Sequence, residues 1–168
     1  ALPLVFTSLI ADKSIDERER IASLFENFAV TIYKFPLGDR ATNLELSITA
    51  HNLSLKIYTR EDSPEDWAGT LNNLAVACKN RILGDRAENL ERAIKLYEQA
   101  LEVRTRKNFP VDWAGTLNNL ALAYSDRIRG DRADQGDCRR FRDQGHPLQR
   151  DLPRYGGQPV AAPAPARH

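Results

Sequence analysis

The stretch "DWAGTLNNLA" runs from Asp66 to Ala75 and is spelled again, residue for residue, from Asp112 to Ala121. Gly-Asp-Arg occurs at 38–40, 84–86 and 130–132, with the same 46-residue step that separates the two decapeptides. One step back, "RIASLFENFA" (Arg20 to Ala29) keeps the apolar positions and Asn27 while losing most of the spelling. A fixed period of this length decides the architecture before any local reading does. The chain is built from three copies of one unit, the first of them diverged.

Each unit reads as two helices. In the middle copy Ser63 is the expected N-cap, Pro64 takes the first helical position, and Glu65 and Asp66 meet the positive end of the helix dipole. Trp67, Leu71, Leu74, Ala75, Cys78 and Ile82 recur at spacings of three and four, which predicts one apolar stripe ended by Gly84. Asp85, with Glu88 three residues on, has the form of a reciprocal cap opening a second helix, whose stripe is Leu90, Ala93, Ile94, Tyr97, Ala100 and Leu101. "LELSITAHNLSLKIY" (Leu44 to Tyr58) alternates like a strand over its first seven residues. Its register nevertheless aligns it with the second helix of the middle copy, and a lone strand would have no partner, so it is assigned as helix.

Composition narrows the function. The chain has 168 residues, 42% hydrophobic and 28% charged, as in an ordinary globular protein. The formal charge of +1 hides a split: residues 135–168 carry six arginines against three aspartates, leaving 18 basic and 20 acidic groups in residues 1–134. A slightly acidic body offers no electrostatic grip on nucleic acid or an anionic membrane. Cys78 and Cys138 form no CxxC and suit a reducing cytoplasm. The opening "ALPLVFTSLIA" is too short to span a bilayer and reads as the end of a preceding helix, residues 1–13. With no methionine, the chain is expected to be processed or excerpted.

Catalysis finds little to work with. His51 lies within a helix and His146 and His168 in the tail, so neither a metal cluster nor a triad suggests itself. The carboxylates of "SIDERERIA" (Ser14 to Ala22) alternate with arginines, as on a solvated helix face. The expectation is a non-enzyme with no cofactor and no metal. The three Gly-Asp-Arg copies could be phosphate-binding turns, but a Gly stop followed by an Asp cap accounts for them.

"NNLA" followed by "AIKLYEQALEV" (Ala93 to Val103) resembles the tetratricopeptide repeat, and "TLNNLA" is similar to the wording of kinesin light chains and bacterial repeat arrays. The longer unit with "GDRAENLERAI" (Gly84 to Ile94) is most similar to microbial arrays often attached to caspase-like CHAT peptidase domains. The resemblance covers residues 14–134, in units of about 14–62, 63–108 and an incomplete 109–134. It departs from the family at Ser47 and His51, where the second helix usually has alanine and an aromatic. The loop between helices is also about six residues longer than in the 34-residue consensus.

The resemblance implies an all-α, right-handed α-solenoid of stacked antiparallel helix pairs. First helices line its concave groove. It also implies a protein–protein interaction scaffold that binds a peptide or helical segment in that groove, or else the regulatory or recruiting arm of a larger enzyme such as a CHAT-type protease. The groove positions are those that break the apolar stripe: Asn27, Asn73 and Asn119, with Asn72, Asn118, Val30, Val76, Leu122, Lys34, Lys79 and Asn80. In related repeats an asparagine here bonds the backbone of a bound peptide, and lysines meet its carboxylates. The alternative is that "NNLA" persists because an amide bonds across to the next unit and sets the stacking angle. Both readings stay open at this point. Trp67 and Trp113, at the start of an apolar stripe, are assigned to packing, as is Cys78.

Residues 135–168 hold five prolines and four glycines and end in "PVAAPAPARH", a composition that predicts disorder. The expected second helix of the third unit never comes. An out-of-frame or altered splice end is a second account of that break. Either way Leu117, Leu120 and Tyr124 should lack part of their cover, and an uncapped repeat end predicts self-association, a missing continuation of the chain or a frayed terminus.

Overall fold

The computed structural model describes the backbone of residues 10–143 and the side chains of residues 10–130. The described residues are helical, without strands: α1 (Ile15–Lys34), α2 (Arg40–Ser54), α3 (Pro64–Lys79), α4 (Arg86–Val103) and α5 (Pro110–Asp143). "LELSITAHNLSLKIY" falls largely within α2, with Leu44 and Ile48 buried as the helical register requires; Leu55 and Tyr58 lie beyond the end of α2 at Ser54, the first half-buried and the second buried. Residues 1–131 form one compact unit and residues 132–168 another.

Local chemistry sets most of the helix ends. Asp39 and Asp85 hold the N-caps of α2 and α4, accepting from the amides of Thr42 and Glu88 at 2.8 Å each. Gly38 and Gly84, just before them, take positive φ of 83° and 80°, which a side chain would strain. Behind each turn an asparagine closes the loop: Asn43 donates to the Leu37 carbonyl and Asn89 to that of Leu83, both at 2.9 Å. Arg40 and Arg86 then reach back to the carbonyls of Tyr33 and Lys79. Every one of these pairs is its counterpart shifted by 46 residues.

Several expectations are corrected. Ser63 occupies the N-cap of α3 but its side chain makes no cap bond; at Asp85 only the bond from the Glu88 amide forms, and the full reciprocal box is found at Ser14 and Glu17. Ile82 lies beyond α3, which stops at Lys79, and is exposed. There Arg81 turns away to pair with Glu45 of the preceding unit. The third Gly-Asp-Arg is not a turn, because α5 continues through Gly130 to Asp143. In the 46-residue register the counterpart of Asn43 and Asn89 is a glutamine, Gln135. Residues 135–143, expected as disorder, are thus helical, and 144–168 lie outside the described residues.

Paired helices run antiparallel. In the first pair Arg40 meets Tyr33 near the loop, while at the far end Ser54 Oγ donates to the Ala22 carbonyl at 3.0 Å and Tyr58 Oη to that of Glu19 at 3.5 Å. In the second, Ala68 and Leu71 near the start of α3 pack with Ala100, Leu96 and Val103 near the end of α4. The main core joins the pairs: Ile48 of α2, Leu74, Ala75, Ala77 and Cys78 of α3, Ala93, Ile94 and Tyr97 of α4, and Ala123 of α5. Alanine at these positions lets backbones approach closely, and leucine, isoleucine and tyrosine fill what remains. Trp67 packs half-buried against the smaller cluster. Leu117, Leu120 and Tyr124 are only half-buried, whereas their counterparts Leu71, Leu74 and Cys78 are buried, as an incomplete third unit requires.

Candidate functional site: the first-helix face and its amide relay

Successive units meet in one register. Asn73 Nδ2 donates to Glu26 Oε1 at 2.8 Å, and one unit later Asn119 Nδ2 donates to Asn72 Oδ1 at 3.2 Å. Asn80 Nδ2 donates to Tyr33 Oη at 3.0 Å, and its counterpart Asp126 takes the Lys79 ammonium at 3.5 Å. Arg81 grips Glu45 with two bonds, of 2.6 and 2.9 Å, and Arg127 bonds Glu91 at 3.0 Å. The first helices α1, α3 and α5 therefore lie side by side and run the same way.

The two adjacent asparagines of "NNLA" face in different directions, as consecutive residues about 100° apart on a helix must. Asn73 reaches the unit before it and Asn72 the unit after it. Asn72 Nδ2 also donates to Asn73 Oδ1 at 3.3 Å, joining the two bonds into one relay from Asn119 through Asn72 and Asn73 to Glu26. Every donor in it points toward the Glu26 carboxylate. The remaining oxygen, Oε2, takes His51 Nδ1 at 2.8 Å, with His51 almost wholly buried in α2.

Burial by itself would raise the pKa of Glu26. The hydrogen bond and charge of His51, with further bonds from Asn73 and Thr70, outweigh that and hold the carboxyl below its ordinary range. Glu26 stands where the other units have Asn72 and Asn118, and His51 where the second unit has Tyr97. Both departures fall in one unit and meet each other. That coincidence was the signal available in the sequence, and reading His51 merely as a misfit aromatic position missed it.

Of the residues expected to line a groove, Asn72, Asn73 and Asn119 spend amide bonds between helices. Asn80 caps α3 and bonds Tyr33, and Lys79 pairs with Asp126. Asn27, Lys34 and Asn118 are exposed, the first touching Ser23 Oγ at 3.5 Å. Four expected positions come together: Val30, Lys34, Asn73 and Val76 line one cleft of about 340 Å³ with Tyr33 and His51. Across the relay, Ser23, Glu26, Tyr58, Glu65, Asp66, Thr70, Asn73 and Arg104 are among the residues lining a smaller cleft of about 230 Å³.

Cys78 is buried, and that burial raises its thiol pKa, which suits packing. Two buried hydroxyls, Ser47 Oγ and Tyr97 Oη, lack a partner among the described residues. Among those residues no group of three or more His, Cys, Asp or Glu side chains could hold a metal ion, and no helix is long and apolar enough to cross a membrane. No family model matches the chain, nor does any curated protein or solved structure.

Proposed function

We propose that the chain is an interaction scaffold of stacked helix pairs, a right-handed solenoid of tetratricopeptide type, which binds a segment of a partner protein along the face formed by its first helices. The cleft of Val30, Tyr33, Lys34, His51, Asn73 and Val76 carries the reading. Its two valines supply an apolar floor for one side chain of a ligand. Tyr33 and Asn73 offer hydrogen bonds to a peptide backbone, and the exposed Lys34 ammonium favours an acidic neighbour. Bonds made by Asn73 to Glu26 and by Asn80 to Tyr33 hold two of the walls in place, so less ordering remains for binding to impose.

Peptides selected from a random display library on the full chain test this. Val76→Asp should lower their capture at least about tenfold, with helical circular dichroism unchanged, because a carboxylate on the floor repels an apolar anchor. Lys34→Glu should cut capture selectively for acidic peptides. A library whose selected peptides ignore both substitutions would rule out this face as the site.

A further inference from the structure

His51 brings a buried, unspent hydrogen-bonding atom to the cleft of the first junction. It is only 1% exposed, and it lines that cleft with Val30, Tyr33, Lys34, Asn73 and Val76. Nδ1 is committed to Glu26 Oε2 at 2.8 Å. Nε2 bonds no described residue. Yet the side-chain atoms sealed from solvent without a partner, among the described residues, are Ser47 Oγ and Tyr97 Oη, not His51 Nε2. The sliver of imidazole left accessible therefore includes Nε2, which opens at the base of the cleft.

Glu26 fixes which ring nitrogen carries the proton. Its carboxyl is held below the ordinary range, and an ionised carboxylate only accepts. Nδ1 must supply the hydrogen, so in the neutral ring, the form that alkaline pH favours, Nε2 keeps a lone pair. Asn73 Nδ2 spends one N–H on Glu26, and its second bonds no described residue. The cleft thus sets one acceptor beside two donors, Asn73 and the exposed Lys34, between the side chains of Val30 and Val76.

Resting on the reading of this cleft as a peptide site, we infer that His51 makes it select an anchor with a hydroxyl on an apolar stem, threonine or tyrosine, over its counterpart without one. The hydroxyl donates to Nε2, and its oxygen accepts from Asn73 or Lys34. An indole N–H would leave those donors unanswered, and a carboxylate would set its lone pairs against that of Nε2. An aliphatic side chain would strip Nε2 of water and return no bond. The second unit offers no such acceptor, because Tyr97 stands in the place of His51 with its hydroxyl sealed from solvent.

Peptides selected by display on the full chain, and sensitive to Val76→Asp, are made again as pairs differing at the anchor alone: threonine against valine, or tyrosine against phenylalanine. At pH 8.5 the hydroxyl member should bind about tenfold more tightly. Glu26→Asn combined with His51→Phe puts an amide and a ring where the second unit has Asn72 and Tyr97, and leaves no carboxylate unpaired. That variant should lose the preference and still capture the valine and phenylalanine peptides. Nitrogen-15 NMR of the wild-type chain needs no substitution. His51 Nε2 should read as unprotonated in the free chain, and should shift further with the threonine peptide than with the valine one. Equal affinities within the pairs overturn the selection while leaving the cleft as the peptide site, and so does a protonated Nε2. Peptides indifferent to Val76→Asp reject the peptide site itself, and the selection with it.

Discussion

The junction between the first and second units and the junction between the second and third use one geometry with different chemistry. At the first, Asn73 donates to a carboxylate that a buried histidine also holds; at the second, Asn119 donates to a neutral amide. A charged acceptor makes the stronger hydrogen bond and ties stability to pH, whereas an amide does neither. Repetition has thus conserved where the helices sit while letting the bond at each seam vary. The second junction is also flanked by a half-buried third unit.

Cover should separate the two most. Leu74→Ala empties a fully packed site and should cost about 3 kcal/mol, whereas Leu120→Ala, at the half-buried counterpart, should cost about 1 kcal/mol. Urea unfolding compares them directly, and equal losses would show that the third unit is as well packed as the second.

The next contrast is the acceptor itself. Glu26→Ala leaves His51 and Asn73 without their shared partner and should cost about 2–3 kcal/mol, against about 1 kcal/mol for Asn72→Ala. Glu26 has a lowered pKa in the folded chain, so the stability it contributes is present above its ordinary value of 4.5 and is lost as pH falls through the folded value. Wild-type stability should accordingly decline with acid below that point. Glu26→Gln should flatten part of the decline and Asn72→Ala should not. Unfolding midpoints across an acid series would decide this, and a Glu26→Gln profile parallel to wild type would place the acid sensitivity in other carboxylates, such as Glu45 beside Arg81.

The smallest contrast concerns the Gly-Asp-Arg copies. Gly84→Ala forces a side chain into positive φ and should cost about 1 kcal/mol, whereas Gly130→Ala, helical with open space around its Cβ, should stabilise by about 0.5–1 kcal/mol. Destabilisation by Gly130→Ala would mean that the third copy turns as the first two do.

Much of this was legible before any coordinates. The aspartate caps, the glycine turns before them and the buried alanines follow from spacing and short-range sterics, while the antiparallel pairing was implied by the resemblance. Gln135 in place of a loop asparagine was legible too, but the role of that asparagine was not. It takes the bonds from Asn43 to Leu37 and from Asn89 to Leu83 to show that this side chain, as well as the glycine, closes the turn. Asn72 and Asn73 show the limit more sharply. Spelling made them equivalent candidates, and their separate directions emerged only once α1 and α5 stood on either side of α3.

By itself, then, the sequence determined the unit, its two helices and most of their ends, because those depend on residues within a turn or two of each other and on a period written three times. Only the tertiary structure decided that Glu26 gathers His51 and Asn73, that the asparagines form a relay across three units, and that α1 leaves Leu24 and Phe28 uncovered among the described residues. These contacts join residues 25 and 47 positions apart, or depend on what lies against a helix face. Helical periodicity says which residues share a face, and only packing says what that face meets.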